Sequence, residues 1–297
     1  MAVYRLDQLM LHPRSLASLQ EYIVQPCHAM MLVGPAGTGK GTLAETATGR
    51  VLSADPEAGI DCMDHPYVRI IQPVDGKAIP IESIRELQHF LSLRVPGPAS
   101  DSINRAAIIK DAHLLTTEAQ NALLKTLEEP PAQTVIVLTA SSAEMMLPTI
   151  RSRTRVVSLL PPSHDALRTY LSGKGYPSAA IERSLSLSGA LPGLATALLQ
   201  DDDKHPLVAA TTHARGILQS KTYDRLLLVD GLSKDKQLCQ DILFVLGQMA
   251  RMALMRSTDA KSAERWRHIM RAVHTASEQF TRNVQAKLVL TNLMLEL

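Results

Sequence analysis

The chain has 297 residues, of which 45% are hydrophobic and only 3% aromatic. That length accommodates two or three domains, each with a core of its own, and an apolar fraction supplied mainly by Leu, Ala and Met favours helices over sheets. A formal net charge of +2, from 31 basic and 29 acidic side chains, excludes the bulk positive field of a dedicated nucleic-acid binder, so contact with DNA is expected to be local or made in company.

In chain order, Leu16, Leu19 and Ile23 recur at helical spacing between Pro13 and Gln25, with Pro13 at a first turn. Ala29 to Val33 is a short unbroken apolar run that stops at Gly34, and Gly37 and Gly39 lead into helix-competent residues. This is the strand, loop and helix order of a phosphate loop. Further short runs at Val68 to Ile71, Ala106 to Ile109 and Thr134 to Thr139 read as strands. The stretches Pro80 to Leu93, with Ile81, Ile84, Leu87 and Leu91 as its stripe, and Thr117 to Leu127 read as helices. Strands alternating with helices predict a doubly wound α/β domain with a mainly parallel, fully covered sheet.

After Val157 the strand signal stops, and Leu160-Pro161-Pro162-Ser163 reads as a linker and helix start. Three short helices are expected from Ser163 to Leu199, broken at Gly173 to Pro177 and Gly189 to Gly193, with a polar break from Asp201 to Pro206. Beyond it, helices are expected around Leu226, Ile242 to Met255, Trp266 to Thr275 and Val284 to Leu297. The expected domains are therefore 1–160, 161–206 and 207–297. Cys27, Cys62 and Cys239 form no CxxC pair, which argues against a disulfide scaffold or a zinc knuckle and fits a reducing cytoplasm. The first residues lack a continuous apolar region, and no window approaches the roughly 18 apolar residues that cross a bilayer, so no membrane partner is expected.

Gly34-Pro35-Ala36-Gly37-Thr38-Gly39-Lys40 satisfies G-x-x-x-x-G-K. Small residues let backbone N–H groups approach phosphate oxygens, the following helix presents its positive end, and Lys40 reaches the terminal phosphates, so nucleotide-phosphate binding is expected, with ATP the candidate ligand. A Ser or Thr that ligates Mg²⁺ normally follows; here Gly41 stands, with Thr42 one residue later. The run Ala106-Ala107-Ile108-Ile109 would be followed in a hydrolysing enzyme by an Asp for Mg²⁺ and a Glu for water, but Lys110 and Asp111 follow instead. A lysine beside the metal position disfavours the metal, and Asp111 is one methylene shorter than the expected base. Mg²⁺-dependent binding and hydrolysis are thus expected to be impaired.

Several segments resemble bacterial DNA polymerase III clamp-loader subunits, with the delta-prime group nearest and gamma/tau next. The resemblance covers about residues 14 to 200. It rests on His28-Ala29, on Ile79-x-Ile81-x-x-Ile84-Arg85-x-Leu87, on Asp111-Ala112-His113, and above all on Ala119-x-Asn121-Ala122-Leu123-Leu124-Lys125-x-Leu127-Glu128-Glu129-Pro130-Pro131. It implies an AAA+ P-loop domain followed by a small helical lid and a helical collar for oligomerisation. It further implies a pentameric hetero-oligomer with other clamp-loader subunits, a sliding clamp and primed DNA. For a delta-prime-like subunit it implies nucleotide bound weakly or not at all.

Thr149-Ile150-Arg151-Ser152-Arg153-Thr154 is similar to the family's Ser-Arg-Cys element, and the resemblance implies that Arg153 is the candidate arginine finger acting on a neighbour's nucleotide. Ser141 falls near the sensor 1 position. Pro192, within Gly189 to Ala195, stands where hydrolysing members carry the sensor 2 arginine. The family's four-cysteine zinc module is missing, with only Cys62 beside His65, so no metal is expected there. A catalytically active gamma/tau-like ATPase would use Lys40, Thr42 and Asp111. A nucleoside-monophosphate kinase is suggested by Gly39-Lys40-Gly41-Thr42, but residues 161 to 200 hold only Arg168 and Arg183 for an acceptor site.

Overall fold

The computed structural model of the chain describes residues 9–53, 59–74, 77–93, 103–200, 202, 205–282 and 284–297. Two compact units divide it, Met1–Pro162 and Ser163–Leu297. The segments expected as lid and collar lie together in the second unit.

In the first unit, α1 (Pro13–Val24) leads to β1 (Ala29–Val33), α2 (Lys40–Leu52), β2 (Val68–Ile71), α3 (Ile81–Ser92), β3 (Arg105–Ile109) and α4 (Thr117–Glu128). Then come β4 (Thr134–Ala140), the single turn α5 (Pro148–Arg151) and β5 (Arg155–Ser158). The five strands are parallel in the order β2-β3-β4-β1-β5. The central strands β1, β3 and β4 are buried along their whole length, which is why they read as unbroken apolar runs. The edge strand β5 has only one buried residue. Its pairing with β1, from Met30 opposite Arg155 to Val33 opposite Ser158, was not anticipated because a half-exposed four-residue edge lacks a continuous apolar signal.

Strand alternation sends the core to both faces of the sheet. Met31, Ala107 and Leu138 pack with Ile84, Leu87 and Leu91 of α3 and Leu123 and Leu127 of α4. Met30, Leu32 and Val137 pack on the other face with Leu19 and Tyr22 of α1 and Leu43 and Ala47 of α2. Thr116 caps α4 by accepting from the Ala119 N–H. Buried Arg105 closes α3 at its other end, donating to Leu93 O at 2.6 Å and to Thr134 Oγ1 at 3.2 Å, so free helix carbonyls meet a cation.

The second unit is helical throughout its described residues: α6 (His164–Gly173), α7 (Ser178–Ser188), α8 (Pro192–Gln200), α9 (Pro206–Gln219), α10 (Thr222–Leu232), α11 (Lys236–Arg256), α12 (Ala260–Thr281) and α13 (Ala286–Glu296). Ser163 caps α6 through the Ala166 N–H, and Gly189 ends α7 in the left-handed region. Helix α9 was not anticipated, since Thr211, Thr212 and Gly216 dilute its propensity. Buried Leu207, Ala210, Ala214 and Ile217 give it the apolar face that packs on α11. By length and composition α11 could cross a bilayer, against the sequence expectation. Its Ile242, Leu246 and Ala250 are fully buried within the unit, where it packs against α7, α9 and α12.

Candidate nucleotide-phosphate site

The loop Gly34–Gly39 runs from the carboxyl end of β1 into the amino end of α2, the place where open parallel sheets receive ligands. Gly34 donates its N–H to Ala140 O at 3.2 Å, tying the loop to the neighbouring strand. A Cβ added at Gly34 would lie 2.9 Å from Leu159 O, so only glycine allows that approach. Gly37 and Gly39 hold positive φ, 78° and 82°, which turns successive N–H groups toward the loop's interior. Thr38 Oγ1 donates to Pro35 O at 2.8 Å. Lys40, only 8% exposed, donates to Gly34 O at 2.9 Å and Pro35 O at 3.0 Å. Burial lowers its pKa from the ordinary lysine range, and Asp111 opposes that shift.

Strand β3 delivers three side chains to the same region. Lys110 extends over the first turn of α2. A Cβ added at Gly41 would meet its Cε at 3.6 Å, and its Nζ pairs with Glu45 Oε1 at 2.7 Å. Asp111 sits in the left-handed region at φ 49°, with its N–H bonded to Thr139 Oγ1 at 2.8 Å. Asp and Asn tolerate that backbone better than other non-glycine residues. His113 Nε2 lies 3.1 Å from Ser141 Oγ, whereas His113 Nδ1 is buried with no hydrogen-bond partner. Burial lowers the His113 pKa, Asp111 opposes, and Lys40 lowers it further.

Lys40, Asp111, His113 and Ser141 therefore form one neighbourhood, linked by hydrogen bonding and by charge. The sequence reading named Lys40, Asp111 and Ser141 but gave no role to His113 or Glu45. His113 stands inside a family segment, which was its available signal; Glu45 carries none, because only the folded path of Lys110 brings the two together.

Loop N–H groups, the positive end of α2 and the Lys40 ammonium fit phosphate oxygens. The residues present do not fit Mg²⁺: Gly41 offers no hydroxyl, and the side chain in the metal-holding position is an ammonium engaged by Glu45. Zinc fares no better at Cys62, whose buried thiol is pushed up to about 12 and donates to Glu45 O at 3.3 Å; a zinc ligand must be a thiolate. Among the described residues no cluster of three His, Cys, Asp or Glu could hold a metal.

Arg153 lies elsewhere on the unit, in the turn between α5 and β5. Its guanidinium donates to Thr149 O at 3.0 Å and Ser152 Oγ at 3.2 Å, and pairs with Glu128 Oε1 at 2.9 Å. Its side chain remains 36% exposed. Thr154, at the family's usual cysteine position, is buried and donates to Ile150 O at 3.1 Å, securing the turn that presents the arginine.

The delta-prime subunit of DNA polymerase III from Pseudomonas aeruginosa is 30% identical to this chain over 224 residues, covering 71% of this chain and 62% of that protein. The Escherichia coli delta-prime subunit is 33% identical over 191 residues, covering 59% and 55%. Residues 14–163, half of the chain, match the family model described as DNA polymerase III, delta subunit. The chain belongs to the DNA polymerase III delta-prime family. The chain spans 62% and 55% of the length of those two family members. A gamma/tau subunit from Mycobacterium tuberculosis is 30% identical over 192 residues, 54% of this chain. For the fold, a crystal structure of a DNA polymerase III gamma subunit-related protein from Thermotoga maritima superposes with a TM-score of 0.54 at 20% identity, covering 95% of this chain and 97% of that one. That likeness shows the fold, an α/β sheet followed by helices.

Proposed function

We propose that this chain is a clamp-loader subunit of the replicative DNA polymerase, helping to place a sliding clamp on primed DNA within a cytoplasmic hetero-oligomer of clamp-loader subunits. Its phosphate loop holds nucleotide, its own hydrolysis is weak or absent, and Arg153 acts on the nucleotide of a neighbouring subunit. One observation supports this reading: the Lys110 ammonium pairs with Glu45 at 2.7 Å beside Gly41, and Gly41 and Lys110 are the two positions at which the sequence departs from the pattern that holds a divalent metal. An active gamma/tau-like ATPase would need that metal. Family membership supports the assembly, and the exposed guanidinium of Arg153 supports action outside its own chain.

In trans, a guanidinium offers planar donors to the charge that develops on a transferring phosphoryl group. The test is reconstitution of the loader with clamp and primed DNA, using wild-type chain and Arg153→Ala. The variant is expected to slow hydrolysis at the served site by on the order of 10³-fold, with assembly unchanged. Normal hydrolysis and clamp loading by the variant complex would show the finger role to be wrong. Robust ATP turnover by the isolated chain would overturn the impaired-hydrolysis half of the proposal.

A further inference from the structure

In an ordinary phosphate loop, the side chain after the lysine carries a hydroxyl that ligates Mg²⁺ at about 2.0–2.1 Å, so the ion stands about 3 Å from that residue's Cβ. Here the corresponding Cβ, built on Gly41, would have Lys110 Cε at 3.6 Å, Cδ at 3.8 Å and Nζ at 3.9 Å. The Lys110 side chain thus lies against position 41, with its ammonium 3.9 Å from that Cβ, somewhat farther out than the ion would stand.

Glu45, one helical turn beyond Gly41, holds it there at 2.7 Å, with the two side chains only 23% and 13% exposed. Moving Lys110 into solvent would leave a largely buried carboxylate unpaired. An ammonium has three donors, and Glu45 uses one of them. The other two remain for acceptors on a ligand. A Cβ at 41 would be in ordinary van der Waals contact with the lysine chain, so the loss of the hydroxyl and the gain of the cation fall at one place.

From this geometry we infer that the phosphate loop takes a metal-free nucleoside triphosphate, with Lys110 as the resident counter-cation in place of Mg²⁺ and Glu45 as the residue that positions it. The inference rests on the nucleotide-binding reading above and changes its ligand from the magnesium complex to the free triphosphate. Two lysines, Lys40 on the loop carbonyls and Lys110 against Gly41, then serve the phosphate chain. Because no metal has to be recruited or released, occupancy of this site is set by nucleotide alone.

Calorimetric titration of the full chain with ATP, in excess EDTA and again with Mg²⁺, tests this. Wild type is expected to bind at least as tightly in EDTA as with Mg²⁺. Lys110→Met is expected to lose about tenfold or more in EDTA, the scale of one hydrogen bond to a charged group. Glu45→Gln, which keeps a hydrogen bond to the ammonium but removes the competing charge, is expected to tighten metal-free binding. Gly41→Ser combined with Lys110→Asp is expected to reverse the preference in favour of Mg²⁺.

Wild-type binding that requires Mg²⁺, or metal-free affinity unchanged in a folded Lys110→Met, overturns the inference and leaves the nucleotide-binding reading standing. Should Lys110→Met fail to fold, Glu45→Gln carries the same test: unchanged or weaker metal-free affinity overturns it. Absence of ATP binding by wild type in both conditions overturns the nucleotide-binding reading itself.

Discussion

The guanidinium of Arg153 donates to the carboxylate of Glu128 across 2.9 Å, joining the turn before β5 to the last residue of α4. Glu128 opens the Glu128-Glu129-Pro130-Pro131 end of the family's most specific segment, so two motifs separated in sequence meet in one ion pair. The pair holds the arginine against its own subunit while leaving it partly exposed.

Glu128→Gln is expected to leave the fold nearly untouched, because a pair with 36% and 48% exposed side chains contributes at most about 1 kcal/mol. Its effect belongs in the assembly: with the charge partner gone, Arg153 samples more orientations and hydrolysis by the loader changes while the melting temperature of the isolated chain does not. Equal loss of stability and activity in this variant would reduce Glu128 to a structural brace.

Gly49→Ala reverses the usual sign of a glycine substitution inside a helix. Alanine in place of a mid-helix glycine ordinarily gains about 0.5–1 kcal/mol. At this position the added Cβ would collide with Ile60 O, whose own N–H donates to Gly49 O at 3.1 Å. A net destabilisation of about 1–3 kcal/mol is expected, measured as a lower urea midpoint. A higher midpoint would mean that the residue 59–60 segment does not lie against α2.

Arg105→Met removes the buried cation that serves Leu93 O and Thr134 Oγ1 while preserving much of the side chain's volume. The carbonyl end of α3 then has no donor from this side chain. A loss of about 1.5–3 kcal/mol is expected, the range for hydrogen bonds to charged groups. Hydrogen exchange in the last turn of α3 should rise with it; unchanged exchange there would contradict the capping role.

His113 governs part of the response to acid. Burial, reinforced by Lys40, lowers its folded pKa below the ordinary value of 6.5, so the unfolded chain takes up a proton first as pH falls. Its contribution is fully present above pH about 6.5 and is lost as pH drops through the folded value. His164 and His205 are also lowered by burial, so the whole chain is expected to weaken below neutrality. His113→Gln should make that decline shallower between pH 7 and 5 in urea titrations; a decline parallel to wild type would show that His113 is not among its causes.

The strands buried on both faces, the helix stripes and the glycine-lysine loop were legible in the residues, because each is a local pattern with its own period or its own backbone demand. So was the resemblance carried by Ala119 to Pro131, since the identity of that run outweighs its periodicity. Of edge strand β5 only the end of a strand signal at Val157 was legible, and helix α9 was not. The first has one buried face and the second has weak helix formers, and both owe their existence to the partners they pack on. The sequence by itself determined that Gly41 and Lys110 break the metal-holding pattern. Only the tertiary structure decided that these two departures meet, with Glu45 fixing the ammonium over Gly41, because side chains distant in sequence acquire a common site only when strand and helix are packed side by side.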